Sequence, residues 1–174
     1  DAGHKVCIFD CVESPWLRQD QKMIVGDLLG ESKILSDALE GCNVVYNYAA
    51  VADLDDALDK PIEAAKVNVL GNIILLEACR KAKVKRYIYA SSLYVYSRKG
   101  GFYRCSKQSA EHFVEEYQNT YGLDYTILRY GSLYGSRSVE KNGLWRIVKY
   151  ALDTGTVRYE GSSEAMREYI HVED

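Results

Sequence analysis

A phenol and an ammonium stand four residues apart in Tyr103-Arg104-Cys105-Ser106-Lys107. On a helix that spacing puts both side chains on one face, about one turn apart. A free phenol titrates near pH 10 and is a poor base at neutral pH. A neighbouring ammonium favours the phenolate, so the pair could take a proton from an alcohol. The pair alone is a weak signal, because the chain holds 15 tyrosines and both residue types are common on helices. Two more positions strengthen it. Ser91-Ser92 close the apolar run Arg86-Tyr87-Ile88-Tyr89-Ala90, and ligands of open α/β sheets bind beyond the carboxyl ends of strands. A serine there can equally cap a turn. Asp10 closes the run Lys5-Val6-Cys7-Ile8-Phe9. It is either a loop-start aspartate or an acceptor for a pair of vicinal hydroxyls.

These residues need a scaffold, and the hydrophobic pattern supplies one. Short β-rich runs end at Asp10, Gly26, Asn47, Ser92 and Arg129, each capped by small or polar residues. Such runs read as strands buried on both faces. Between them lie helical stretches: Ser32 to Leu39 with Ser32 as N-cap, Pro61 to Lys81, and Phe102 to Tyr121 with Gly122 as C-cap. In the second of these, Ile62, Ala65, Val69, Ile73, Leu76 and Cys79 recur at helical spacing and predict its buried stripe. The alternation predicts an α/β fold with a doubly wound parallel sheet. From about Asn142 the pattern changes to a helix, Leu144 to Leu152, then a short strand and a polar tail. We therefore read residues 1–142 as a cofactor-binding Rossmann-like domain and 143–174 as the start of a substrate-binding region.

No Gly-x-Gly-x-x-Gly turn precedes the first strand, although a dinucleotide fold opens with a strand and such a turn. The expectation is that the sequence lacks one strand-turn-helix of about 20 to 25 residues, and that it is clipped at its C-terminus as well.

Bulk properties exclude several classes. The 174 residues are 47% hydrophobic and 27% charged, with a net charge of -3, which gives no basic footprint for nucleic acid. No apolar run approaches the roughly 18 to 20 residues that span a bilayer, so neither nucleic acid nor membrane is expected as a partner. Cys7, Cys11, Cys42, Cys79 and Cys105 form no CxxC pair and read as reduced thiols of a cytoplasmic chain. No metal site is expected. His4, His112 and His171 share no spacing with acids, and Asp53, Asp55, Asp56 and Asp59 read as a solvated turn before Pro61. Trp16 and Trp145 read as core residues. An acid at Asp10 that accepts the adenosine ribose hydroxyls would repel a 2′-phosphate, selecting NAD over NADP.

Taken in order, the strand-end acid, Gly26-Asp27-Leu28, Asn47-Tyr48-Ala49-Ala50, Ser91-Ser92 and Tyr-x-x-x-Lys resemble the extended short-chain dehydrogenase/reductase family across essentially the whole chain. The resemblance is strongest to its nucleotide-sugar epimerase/dehydratase branch, which holds UDP-glucose 4-epimerase. Two later segments extend it. Leu128-Arg129-Tyr130-Gly131-Ser132-Leu133-Tyr134-Gly135 is similar to the family's Leu-Arg-x-x-Asn-x-Tyr-Gly, and Arg167-Glu168-Tyr169-Ile170-His171-Val172-Glu173-Asp174 to its Arg-x-Phe-Ile-x-Val-x-Asp. The resemblance implies that Asp10 binds the adenosine ribose, that Asp27 and Leu28 flank the adenine, and that Ala49 and Ala50 line the dinucleotide. It implies that Asn68 supports the site through hydrogen bonds. It makes Ser92 the catalytic hydroxyl, Tyr103 the acid/base and Lys107 the ribose-binding lysine. Ser132 and Arg167 would join Ser92 and Tyr103 in binding substrate, with Arg167 on the diphosphate of a nucleotide sugar. Relatives often dimerise through two long helices, so a homodimer is implied too.

The chain departs from its relatives in three ways. Ser132 replaces an asparagine that contacts substrate, and ten residues separate Ser92 from Tyr103, a shorter loop than in sugar epimerases. Leu93 and Tyr94 stand where 4,6-dehydratases carry an Asp-Glu pair for water elimination. The function expected is therefore an NAD-dependent nucleotide-sugar epimerase acting by transient oxidation at sugar C4. The alternatives are a net nucleotide-sugar oxidoreductase, either a 4-dehydrogenase or a 4-keto reductase, and an NAD-binding sensor or scaffold without activity.

Overall fold

The computed structural model describes residues 3–159, 162, 164 and 166–174. The apolar runs become strands at Cys7–Asp10 (β1), Lys22–Val25 (β2), Val44–Asn47 (β3), Arg86–Ser92 (β4) and Asp124–Tyr130 (β5). Helices fall at Ser32–Leu39 (α1), Leu54–Asp59 (α2), Pro61–Ala65 (α3), Asn72–Lys81 (α4) and Gly101–Tyr121 (α5). A π-helical turn, Lys66–Gly71, joins α3 to α4, and a 3-10 turn, Leu93–Tyr96, follows β4. Beyond β5 come Ser132–Tyr134 (β6), Gly143–Thr154 (α6) and Tyr169–His171 (β7).

β1 pairs with β2 in parallel, Asp10 opposite Val25. β3 pairs with β4 in parallel, Asn47 opposite Tyr89, and β5 bonds the other side of β4. Parallel strands with intervening helices are the α/β, Rossmann-like architecture that the alternation predicted. Among the described residues no ladder joins β1 to β3. β3 presents Val44 and Tyr46 outward, 43% and 57% exposed, and Tyr48 beyond its end is 61% exposed. The two tyrosine rings stack 6.2 Å apart.

The core lies where β4 meets three helices. Leu35 and Leu39 of α1, Leu75, Leu76 and Cys79 of α4, Tyr87 and Tyr89 of β4, and Ala110 and Val114 of α5 form one buried cluster. Each large aliphatic there contributes about 1.5 to 3 kcal/mol by leaving water.

Four sequence expectations need correction. The stripe predicted for 61–81 holds at Leu76 and Cys79, but Ile62 is 72% exposed and Ala64, Asn68 and Asn72 are buried instead. The π turn is the cause: an extra residue in one turn rotates everything upstream relative to a regular helix. The acidic cluster is not a plain turn. Asp53 caps α2, accepting from the Asp55 and Asp56 amides at 2.9 and 3.1 Å. Ser32 is the first residue of α1 rather than its cap, which is Glu31. Trp16 is 58% exposed and no part of the core.

The chain divides into two compact units, Asp1–Leu128 and Arg129–Asp174. In the second, β6 and β7 pair in parallel, Ser132 opposite Tyr169. Asn142, where the sequence pattern changes, caps α6 by accepting from the Trp145 amide at 3.0 Å. Among the described residues no helix is long and apolar enough to cross a membrane.

Candidate active site

The carboxyl end of β4 delivers Ala90, Ser91 and Ser92 to one wall of the first unit. α5 supplies the facing side chains. Its start is set by Gly100, whose φ of 96° is a left-handed conformation that favours glycine, and a Cβ there would lie 2.9 Å from the Tyr94 ring. From that start Tyr103, Lys107 and Glu111 follow at intervals of four and share one face.

Three rungs join strand and helix. The Ser92 hydroxyl stands by the Tyr103 phenol and favours its ionised form. The Lys107 ammonium donates to the Ala90 carbonyl at 2.8 Å. The Ser91 hydroxyl donates to the Glu111 carboxylate at 2.5 Å. Lys107 Nζ also lies 4.9 Å from the centre of the Tyr89 ring and 5.7 Å from that of Tyr103, within cation–π range. The Tyr94 ring meets Tyr103 edge-on at 6.3 Å.

Burial governs the protonation of this wall. Lys107 is only 3% exposed, and loss of water pushes its amine down to about 8, against the charge of Glu111, which holds it up. Burial pushes the Tyr103 phenol upward, the Ser92 hydroxyl pulls it down, and Tyr94 adds to the rise. The sequence led us to expect a phenol lowered by Lys107. Instead, burial outweighs the Ser92 hydroxyl, and the ammonium is directed at the Ala90 carbonyl.

Asn68 braces the wall from behind. Sitting in the π turn and 2% exposed, its carboxamide accepts from the Val51 amide at 2.7 Å and donates to the Val51 carbonyl at 3.1 Å. It also donates to the Ser106 hydroxyl at 2.9 Å, and that hydroxyl donates to the Tyr103 carbonyl at 2.8 Å. One carboxamide thus ties the segment after β3 to the first turn of α5. A second buried set, Asn47, Asn72 and Tyr87, joins β3, α4 and β4, with Asn47 Nδ2 3.1 Å from Asn72 Oδ1 and 2.8 Å from the Tyr87 hydroxyl.

The remaining residues sit at neighbouring strand ends. Asp10 is exposed at the tip of β1 and accepts from the Val12 amide at 3.1 Å. Asp27, just past β2, accepts from the Leu29 amide at 2.9 Å, and Leu28 packs on the core. Ala49 and Ala50 follow β3, the Ala49 amide bound to Asn47 Oδ1 at 3.1 Å. In the second unit the Ser132 amide bonds the Glu168 carbonyl at 2.8 Å, which puts Ser132 beside the segment that carries the exposed Arg167. That unit also holds a cleft of about 330 Å³ lined by Tyr134, Trp145, Val148, Leu152 and His171 among others.

The structure therefore brings Ser92, Tyr103, Lys107 and Asn68 together, and puts Ser132 near Arg167. Sequence reasoning marked Ser91 only together with Ser92, and missed Ser106 and Glu111. Glu111 follows Lys107 at the same interval of four that drew attention to Lys107; Ser106 carries no comparable signal.

A family model described as the NAD dependent epimerase/dehydratase family matches residues 1–174. The dTDP-D-glucose 4,6-dehydratase of Dictyostelium discoideum is 24% identical over 179 positions, taking in 88% of this chain and 41% of that enzyme. The UDP-glucose 4-epimerase of Thermotoga maritima, solved with UDP-glucose, superposes with a TM-score of 0.86 at 25% identity, covering 98% of this chain and 62% of that one. MoeE5, solved with UDP-glucose and NAD, gives 0.84 at 25% identity, covering 98% and 60%. The chain spans about half or less of the length of curated relatives it matches. On the match over its whole length, the chain belongs to the NAD dependent epimerase/dehydratase family.

Proposed function

We propose that the protein carrying this chain is an NAD-dependent nucleotide-sugar epimerase that works by transient oxidation at sugar C4. The observation that carries this reading is the wall in which the Ser92 hydroxyl stands by the Tyr103 phenol beside the Lys107 ammonium. Family membership and the UDP-glucose held by two solved relatives support it.

The donor set fits NAD: exposed carboxylates at Asp10 and Asp27, small side chains at Ala49 and Ala50, and a buried ammonium at Lys107. When bound, NAD accepts a hydride from the sugar carbon and returns it. The chain does the rest. Asp10 accepts from the adenosine ribose hydroxyls, Asp27 and Leu28 flank the adenine, and Lys107 donates to the nicotinamide ribose. Asn68 keeps Ala49–Val51 and the start of α5 in register. Tyr103, once ionised to the phenolate, takes the proton from the sugar hydroxyl while Ser92 bonds the same oxygen. Tyr103 returns that proton once the keto-sugar has presented its other face. Arg167 holds the diphosphate and Ser132 contacts the sugar nucleotide. Leu93 and Tyr94 leave the 4,6-dehydratase route without its acid pair. Residues 1–142 bind cofactor and 143–174 open the substrate region.

Two finer points go with this reading. Ile62, Leu70, Phe113 and Tyr121, each at least 40% exposed along α3, the π turn and α5, support a homodimer through the long helices. Five free thiols support a cytoplasmic location.

Incubating the full-length protein with a panel of nucleotide sugars, read by chromatography and mass spectrometry, tests the reading. An epimer of unchanged mass without accumulating NADH is expected. A product lighter by two hydrogens with stoichiometric NADH would make it a net oxidoreductase, and loss of water a dehydratase.

A further inference from the structure

Glu111 is an acid only 6% exposed, and a buried carboxylate is costly unless it is paired. It belongs to no step of the proton transfer described above. Its place in the wall is nevertheless regular. On β4, Ala90, Ser91 and Ser92 are consecutive. On α5, their partners Lys107, Glu111 and Tyr103 lie one turn apart on one face. Two of the three rungs hold the strand tip and leave the third, Ser92 with Tyr103, for chemistry.

We propose that Glu111 is a positioning residue of the active site. By accepting from Ser91 and standing as the counter-charge one turn beyond Lys107, it fixes the tip of β4 and orients the ammonium that meets the nicotinamide ribose. This rests on the reading of Lys107 as the ribose ligand. The surroundings leave Glu111 alone in that role. Facing the ammonium are the Tyr89 ring from β4 and, from α5, Tyr103 and Glu111. The 3-10 turn contributes Tyr94, which meets the Tyr103 ring. The π turn contributes the neutral Asn68, bound to Ser106, and α4 the neutral Asn72, bound to the Ala110 carbonyl. Among the described residues only Glu111 acts on the Lys107 amine by its charge. Its distance from the sugar-facing phenol, two turns along the helix, explains why it positions rather than reacts.

The test follows the NMR signal of the Lys107 ε-carbon with pH in the full-length protein, the signal being assigned by its loss in Lys107→Met. The wild-type amine should titrate near 8. Glu111→Gln keeps the size and an acceptor for Ser91 but loses the charge, and should move that midpoint down by about one pH unit or more. A carboxyl that merely packs would leave the midpoint in place, and an unmoved midpoint in a folded variant overturns the proposal. Should the variant not fold, the wild-type Glu111 carboxyl carbon decides, because a carboxyl that is protonated at neutral pH overturns it too. NAD titrations below and above pH 8 separate the two claims. If Lys107→Met loses both affinity and its pH dependence, the ribose-ligand reading stands. If Lys107→Met binds NAD as the wild type does, that reading fails and the cofactor role of Glu111 with it, even where the NMR midpoint has moved.

Discussion

At the tip of β4, Ser91, Ser92, Lys107, Glu111 and Asn68 are all buried, and each is held by partners from another element. At the tips of β1 and β2, Asp10 and Asp27 stand in solvent, each accepting from a backbone amide two residues on. The difference follows from the tasks proposed for them. Proton transfer needs donors fixed before the substrate arrives, in surroundings where charge interactions are strong. A carboxylate that recognises ribose hydroxyls can stay hydrated until the ligand displaces its water. Changes in the wall should therefore alter rate, and stability as well where they remove a buried contact, whereas changes at the edge should alter selectivity alone.

The largest effect is expected for Tyr103→Phe. The ring and its edge-on contact with Tyr94 persist, so folding and NAD binding should survive while turnover falls by about 10² to 10⁴. Wild-type turnover by this variant would move the proton transfer to another group and dissolve the contrast between the two tips. Next comes the pH dependence of stability. The Lys107 amine titrates near 8 in the folded chain and near 10.5 in the unfolded one. Between those values the unfolded chain holds a proton that the folded one has released, so raising pH favours the fold. A shift of this size is worth up to about 3 kcal/mol. Urea unfolding should show stability rising across that window in the wild type relative to Lys107→Met, and parallel curves would place the ammonium in water.

Gly100→Ala sharpens the comparison at lower cost. It forces a side chain into the left-handed region, worth about 1 to 2 kcal/mol, and presses a Cβ on Tyr94. Thermal unfolding should register the loss, and kcat should fall because Tyr94 abuts Tyr103. The smallest change in stability, within about 0.5 kcal/mol, is expected for Asp10→Asn at the exposed edge. Its effect should appear as a reduced preference for NAD over NADP in binding titrations; an unaltered preference would remove Asp10 from cofactor selection.

The sequence made the strands, the parallel fold and the Tyr103–Lys107 pair legible because each is a local pattern: an apolar run, an alternation, an interval of four. What it hid lies across long separations. Ser91 meets Glu111 and Asn47 meets Asn72 only after β4 and the helices have packed, and nothing near Ser106 marks it as the link between Asn68 and Tyr103. The stripe of 61–81 was misread for a different reason. Its apolar residues do recur at helical spacing, but the π turn changes the phase midway. The buried positions then pass through Asn68 and Asn72, polar residues that a hydrophobic template discards. The capping role of Asp53 was obscured by its neighbours, since four acids close together resemble a hydrated loop.

The outward row of Val44 and Tyr46 on β3, with Tyr48 just past its end, bears on how the 174-residue chain behaves in the tube. Two stacked phenol rings beside a valine make a flat apolar strip next to backbone that, among the described residues, no second ladder occupies on its β1 side. Strips of this kind adsorb hydrophobic dyes and drive colloidal association. Purified by itself, the chain should bind anilinonaphthalene sulfonate and scatter light increasingly with concentration. Replacing Tyr46 by lysine should suppress both without touching the β4–α5 wall, so solubility and the chemistry proposed for this chain can be engineered separately.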